Sequence, residues 1–267
     1  MIQRIAAIDR FFAAFERTYL EISYLRNLIP ERTIKNGNLT VYRINLFVCL
    51  PLILWLVLKA KCVYVHSIGN AQFILPFYFI RKIITDMHGT APEEFRYSGR
   101  NVVAFRYGLT ESAVISGGGP LVTVTQNMAD HFKTKYGRRN LEFFNIPVFE
   151  DIEIRKDRKR PATDKRTIIY AGGSQSWQNV DLMFSVISKT CSSFRYVILT
   201  GDTAFFTSKA TEYGLSCDVE IKSVAKEEVQ AYYLSADFGF VLRDDNIVNR
   251  VACPTKLMEY MASGVIP

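Results

Sequence analysis

Cys253-Pro254-Thr255-Lys256-Leu257-Met258-Glu259-Tyr260-Met261-Ala262-Ser263-Gly264-Val265-Ile266-Pro267 is the stretch on which the fold turns. It reads as a polar turn, an apolar helix and the start of a new strand, which is the joint of a sheet wound with helices. Pro254 suits the first turn of the helix, where its missing N–H costs nothing. Gly264 suits the far end as a C-cap, and Val265-Ile266-Pro267 reads as a strand just beginning. The free N–H groups and positive dipole end of such a helix attract anions, and Lys256 adds a cation beside them. Glu259 follows at i+3 on the same face. A phosphate-binding cation beside a hydroxyl-binding carboxylate suits a nucleotide sugar. An isolated Lys-x-x-Glu is far more often a solvated helix pair, so the whole constellation carries the reading.

Outward from this joint, strand-like apolar runs alternate with helical patterns, the signature of a parallel sheet wound with helices. Residues 62–66, 82–86 and 121–125 read as strands of a first half, with helices over 71–80, 92–115 and 129–136. Residues 167–170, 196–199, 219–221 and 238–242 read as strands of a second, with helices over 180–190, 204–213 and 226–235. The expected fold class is therefore α/β with two Rossmann-like domains, residues 1–150 and 167–267. They are joined by a charge-dense linker over 151–166 that holds Pro161 and has no apolar periodicity. The chain opens on a helical pattern from Ile2 to Thr18 without the strand and glycine turn that usually begin such a domain. It also stops as a strand starts, so the C-terminal domain reads as incomplete.

Composition narrows the classes of function. The 267 residues are 49% apolar and 22% charged, a globular composition long enough for two domains. A formal charge of +7 asks for an anionic partner, whether nucleic acid, acidic lipid or a diphosphate substrate. No nucleic-acid-binding motif accompanies the charge, and aromatic residues are not interleaved with the basic clusters, which argues against nucleic acid. Five cysteines without a C-x-x-C pair argue against a disulfide framework and a zinc site, and fit a reducing cytosol. The three histidines, His66, His88 and His131, lack metal-ligand spacing on one element, so no metal is expected. The N-terminus lacks the pattern of a secretory signal, and a cytoplasmic location is expected, with the inner face of the membrane as its variant.

Leu46 to Leu58 is an apolar run too short to span hydrocarbon, which takes about 20 residues, and Pro51 interrupts it. It reads as a buried helix of an α/β domain. The alternative is a monotopic membrane contact, with Arg43, Lys59 and Lys61 meeting anionic head groups and Trp55 at the interface.

Three further segments point to a ligand. Tyr170-Ala171-Gly172-Gly173-Ser174 ends a strand with glycines that let the backbone approach a ligand, and Trp177-Gln178-Asn179 opens the next helix. Core packing is an equal reading for Trp177. Phe240-Val241-Leu242-Arg243-Asp244-Asp245 ends a buried strand in a polar cluster at its carboxyl edge, where open α/β sheets bind ligands. Arg243 offers a planar fork to complement the point charge of Lys256, although on its own it would pair with a neighbouring aspartate. Ile84-Thr85-Asp86-Met87-His88-Gly89-Thr90-Ala91-Pro92-Glu93-Glu94 runs strand, glycine turn, then a helix with two acids in its first turn, which by themselves stabilise that helix.

Pro254-x-Lys256-x-x-Glu259-Tyr260-x-x-x-Gly264 resembles the nucleotide-sugar motif of retaining GT-B glycosyltransferases of the group 1, or GT4-like, family. Trp177-Gln178-Asn179 and Asp86-x-His88-Gly89 with Pro92-Glu93-Glu94 resemble segments of the same polysaccharide-type enzymes. The resemblance covers most of the chain but neither end, and it implies the following. Lys256 and Arg243 stabilise the leaving diphosphate, Glu259 holds the ribose, and Gly172, Gly173, Gln178 and Thr255 belong to the donor site. His88 orients the transferred sugar, in a cleft between the two domains, and Gly89 with Glu94 or Glu93 lies toward the acceptor. No metal or cofactor is needed, and configuration at the anomeric carbon is retained. The family usually has a second glutamate, for the donor sugar, where this chain has Val251, and Asn249 or Arg250 are the polar residues beside it. The activity so implied is transfer from a nucleoside-diphosphate sugar to a carbohydrate or lipid-linked acceptor, in bacterial capsule, lipopolysaccharide or exopolysaccharide synthesis. The alternatives are a catalytically impaired nucleotide-binding homologue, a membrane-surface interaction protein on the same scaffold, and another doubly wound enzyme such as a sugar-nucleotide epimerase.

Overall fold

The computed structural model describes residues 2–35, 37–138, 140–147, 165–215 and 219–267. The chain forms two compact units, Met1–Glu150 and Asp151–Pro267. Of the linker expected over 151–166, only Lys165 and Arg166 lie among the described residues, as do Asn145, Ile146 and Pro147 of the segment leading to it.

The first unit runs α1 (Ile2–Phe11), β1 (Arg17–Ser23), β2 (Glu31–Lys35), β3 (Leu39–Asn45), α2 (Leu50–Lys59), β4 (Tyr64–His66), α3 (Ile68–Ala71) and a 3-10 stretch Gln72–Phe79. It continues with β5 (Ile84–Met87), α4 (Ala91–Tyr97), α5 (Asn101–Ser116), β6 (Leu121–Thr123), α6 (Gln126–Tyr136) and β7 (Phe143–Asn145). Strands β4-β5-β6-β7 lie side by side in that order, all parallel, so their carboxyl ends share one edge.

The N-terminal helix expected from Ile2 to Thr18 stops at Phe11, and three strands precede Tyr64 where none was expected. β1 pairs parallel with β3, Arg17 opposite Leu39, and β2 folds back antiparallel on β3 across a turn in which Gly37 takes φ +72. The reason lies in Thr18, Tyr19 and Ile22, side chains that fit a pleated surface better than a helix. β3 alternates at its start, with Leu39 and Val41 buried and Thr40 and Tyr42 less so. The helix expected over 92–115 is two helices, because Gly99 at φ +73 reverses the chain between α4 and α5. The helix expected over 71–80 is mainly 3-10, as Pro76 removes a backbone donor.

The expectation of a buried helix across Leu46–Leu58 is corrected in the same way. In α2, Ile53 and Val57 are buried, while Leu50, Leu54, Trp55 and Leu58 are exposed. One stripe of an apolar helix suffices to pack it, and no described residue of this unit covers the opposite stripe. No described helix is long and apolar enough to cross a membrane.

The second unit runs β8 (Arg166–Ala171), a 3-10 turn Ser176–Gln178, α7 (Val180–Thr190), β9 (Phe194–Leu199), α8 (Thr203–Glu212), β10 (Val219–Lys222) and α9 (Lys226–Ser235). It ends with β11 (Phe238–Gly239), α10 (Ile247–Val251) and α11 (Thr255–Ala262). Its sheet is parallel throughout, in the order β10-β9-β8-β11. Alternation along the strands sends successive side chains to opposite faces. Tyr170, Tyr196 and Ile198 pack on one face with Met183, Phe184 and Ile187 of α7 and Phe206 of α8. Ile169, Val197 and Leu199 pack on the other with Tyr233 of α9 and Tyr260 of α11. The strand expected over 238–242 is regular only over Phe238–Gly239, and of the strand expected to begin at Val265 the structure shows one isolated parallel bridge, Ile266 to Phe238.

Cys191 is disulfide-bonded. The cysteine pattern argues against a disulfide framework, and this bond removes the support that cysteine usage lent to a reducing cytosol.

Candidate nucleotide-sugar site

α11 is held in place from both ends. Gly264, at φ +70, accepts the left-handed backbone that ends the helix, and its N–H and that of Val265 bond the carbonyls of Met261 and Tyr260 at 3.1 and 2.8 Å. Tyr260, fully buried, donates its hydroxyl to the Ile169 carbonyl at 3.4 Å and accepts from the Ala171 N–H at 3.3 Å. Its ring lies so close to Gly239 that a Cβ there would meet ring carbons at 2.4 to 2.8 Å. The start of α11 is thereby fixed beside the carboxyl end of β8.

Lys256, in the first turn, reaches across that strand end. Its Nζ donates to Gln178 Oε1 at 2.7 Å and sits 3.9 Å above the Tyr170 ring. Gly172 leaves room for it, since a Cβ at that position would come within 2.5 Å of Nζ. Burial lowers the Lys256 pKa to about 7, with Arg243 pushing the same way and Glu259 opposing. Burial also lowers the pKa of Arg243, whose Nη1 donates to Asn249 Oδ1 at 2.9 Å, while Asn249 donates to the Asp244 carbonyl at 3.0 Å. Two partly desolvated cations, of which Arg243 makes Lys256 harder to charge, form a site suited to an anion.

Glu259 Oε2 accepts from the Tyr233 hydroxyl at 2.9 Å, which aims the carboxylate. The Tyr170 hydroxyl donates to the Gly173 carbonyl at 2.6 Å and fixes the glycine turn, and Asn179 donates to Asp244 Oδ1 at 2.7 Å. Thr255 opens α11 with Pro254 at its cap and no side-chain cap, which leaves the helix N–H groups free of such a bond. Val251 is buried at the end of α10, Arg250 pairs on the surface with Asp245, and Asn249 touches the site through Arg243.

The structure thus gathers Gly172, Gln178, Arg243, Lys256 and Glu259 at the end of β8, with Gly173 and Thr255 on the adjoining turn and helix. Tyr170, Tyr233 and Asn249 belong with them. Asn249 is one of the two polar residues the sequence offers beside Val251, Tyr170 stands just before Gly172-Gly173 at a strand end, and Tyr233 carries no sequence signal.

In the first unit, His88 follows β5 at the carboxyl edge of its sheet. Asp86, fully buried, accepts from Arg4 Nε at 2.8 Å and Nη2 at 2.7 Å and from the Tyr64 hydroxyl at 3.0 Å. His88 Nε2 lies 3.1 Å from Asp86 Oδ2, without the alignment of a hydrogen bond. Burial opposes ionisation of Asp86, but His88 and Arg4 outweigh it and hold its pKa at about 2. Burial lowers the His66 pKa to about 4. His66, Asp86 and His88 place one ligand atom each within 4.8 Å of one another, a spacing that can hold a metal ion. Arg4 already covers both carboxylate oxygens, and a metal would meet that like charge, so the set fits a buried ion pair better.

Gly89 leaves space for Glu94, whose Oε1 would stand 2.1 Å from a Cβ there, and burial raises the Glu94 pKa. Glu93 instead binds Lys135 Nζ at 2.7 Å and lies 3.6 Å from His131 Nε2. Burial opposes its ionisation, yet contacts from His131 and the Lys135 ammonium hold its pKa near 2, and that pairing makes it a brace between α4 and α6.

No protein-family model and no curated protein sequence matches the chain. Solved structures do. Sucrose-phosphate synthase from Thermosynechococcus elongatus matches with a TM-score of 0.69 at 11% identity, over 96% of this chain and 71% of its own. HepE of Anabaena, in complex with UDP-glucose, matches with a TM-score of 0.64 at 13% identity, over 86% of this chain and 66% of its own. WaaG, a glycosyltransferase involved in lipopolysaccharide biosynthesis, matches with a TM-score of 0.54 at 12% identity, over 80% and 60%. The chain spans between 60% and 71% of the length of these proteins. At such identities the likeness is one of fold. The fold of this chain is that of the GT-B glycosyltransferases.

Proposed function

We propose that the chain is a glycosyltransferase that takes its sugar from a nucleoside diphosphate, with the diphosphate bound between Lys256, Arg243 and the Gly172-Gly173 turn and the ribose on Glu259. The observation that carries this reading is the convergence of two desolvated cations on one glycine-lined strand end, with a carboxylate aimed by Tyr233 one turn along α11. Fixed cations stabilise charge as it develops on a departing diphosphate, which is the work a metal ion does in other transferases. The proposal accordingly includes independence of added metal, and, from the family resemblance, retention of configuration, His88 on the transferred sugar and Glu94 on the acceptor side. HepE is described with UDP-glucose, which supports a nucleotide-sugar donor, and WaaG with lipopolysaccharide biosynthesis, which supports a carbohydrate or lipid-linked acceptor in a bacterial cell-surface pathway; a cytoplasmic location belongs to the same proposal.

The test is incubation with radiolabelled UDP-, GDP- and ADP-sugars in the presence of EDTA, scored for sugar released or transferred. Turnover of one donor, unchanged by EDTA and lost in Arg243→Ala, supports the proposal; turnover that requires a divalent cation defeats its metal-independent form. Buried Val251 in place of a donor-sugar carboxylate favours a second reading, a homologue that binds nucleotide without turnover. Tight nucleotide binding with no release or transfer from any donor would select it.

A further inference from the structure

The uncovered side of α2 continues at both ends. At its N-terminal end the β3–α2 turn exposes Phe47 by 71%, and the Tyr24 ring of the β1–β2 loop lies tilted beside it, ring centroids 6.2 Å apart. That loop is tied down by Asn45, which donates to the carbonyls of Tyr24 and Arg26 at 3.0 and 3.1 Å, and it exposes Leu25 by 90%. At the C-terminal end Arg81 donates to the Val57 and Ala60 carbonyls, which brings exposed Phe79 and Ile80 against the end of the helix. A run of large apolar side chains therefore extends along the whole helix and past both ends, beyond what scattered surface residues produce.

Its charge is one-sided. Residues 46 to 85 contain no aspartate or glutamate, but they carry Lys59, Lys61, Arg81 and Lys82. Lys59, Lys61 and Lys82 are exposed at the C-terminal end of the patch, and Lys59 Nζ lies 4.7 Å over the exposed Trp55 ring. An apolar face with an amphipathic tryptophan and a cluster of lysines without acidic neighbours at its C-terminal end matches acyl chains beneath anionic head groups. A protein partner gives no reason for the sign to be uniform.

We propose that this face is a monotopic docking surface for an anionic lipid bilayer. It buries Phe47, Trp55 and Leu58 in the interface while Lys59, Lys61 and Lys82 meet the head groups. The proposal stands apart from the transferase reading, since every group it uses belongs to the first unit and none belongs to the nucleotide site.

Vesicle flotation tests it, with equimolar phosphatidylglycerol and phosphatidylcholine in one arm and phosphatidylcholine alone in the other. The full chain is expected to float with the anionic vesicles and to stay behind with the neutral ones. K59Q/K61Q/K82Q should weaken partitioning roughly a hundredfold, on the basis of the attraction of a juxtamembrane cation. W55S/L58S should also lose flotation, and both variants should melt as the parent does and bind nucleotide as the parent does. No flotation by the parent, or equal flotation by all three proteins, overturns the proposal. So does a dimer in light scattering that W55S/L58S dissociates, because a second copy would then cover the face.

Discussion

Lys256 donates to Gln178 Oε1 at 2.7 Å across 78 residues of chain, and Gly172 is the position that permits it. A methyl group on residue 172 would stand 2.7 Å from Lys256 Cε and 2.5 Å from Nζ, the mobile end of a flexible side chain. Gly172→Ala should therefore displace the ammonium rather than unfold the protein. The expected result is a loss of nucleotide affinity of about tenfold or more, or ~1.4 kcal/mol, with the melting temperature nearly unchanged. Calorimetric titration beside thermal melting followed by circular dichroism checks it.

Nucleotide binding should take up a proton. The free Lys256 ammonium has a pKa of about 7, chiefly through burial, so at pH 8 much of it is neutral. A diphosphate beside it favours the charged form and raises that pKa. Affinity should fall as pH rises above 7, and titrations at pH 8 in buffers of different ionisation enthalpy should report net proton uptake. Lys256→Gln should abolish the uptake.

The Arg4–Asp86 pair ties α1 to β5, and its two ends respond to different measurements. Asp86 has a folded pKa of about 2, below its unfolded value, so it contributes stability at pH 4 and above. That contribution should fade as pH falls from 4 toward 2. Asp86→Asn leaves Arg4 buried without its counter-charge, and should cost about 3–5 kcal/mol at neutral pH. Urea denaturation of both proteins from pH 7 down to pH 2 checks both statements.

Gly239→Ala should damage the second unit itself. Its Cβ would meet the fully buried Tyr260 ring at 2.4 Å, and that ring is packed on Ile169 and Tyr233 in the core. Overpacking of this kind costs about 1–3 kcal/mol. Unlike Gly172→Ala, it should lower the melting temperature, and any loss of nucleotide affinity should follow from the displaced start of α11.

The second unit was largely legible because its signals are local. The hydrophobic runs of β8 and β9 are continuous, Gly264 ends α11, and Lys256 and Glu259 lie one turn apart. What the sequence hid is what depends on distant partners. Tyr233 and Glu259, 26 residues apart, meet only when α9 and α11 pack on one face of the sheet. Arg4 gives no hint that it pairs with Asp86, 82 residues away. The β1–β3–β2 sheet was missed because helical periodicity over the first residues appeared to run on through Thr18, and β1 finds its partner only beyond β2. The apolar face of α2 misled for the opposite reason, since an all-apolar helix reads as buried whether or not both stripes find cover.

The central claim is that Lys256 and Glu259 form one nucleotide site, and calorimetric titration of the chain with UDP, GDP, ADP and CMP in EDTA tests it most directly. The account predicts selective binding of one nucleoside diphosphate, weakened at least tenfold in Lys256→Ala and again in Glu259→Ala, with both variants melting as the parent does. Absence of binding by a folded chain, or binding that both variants retain, would contradict it.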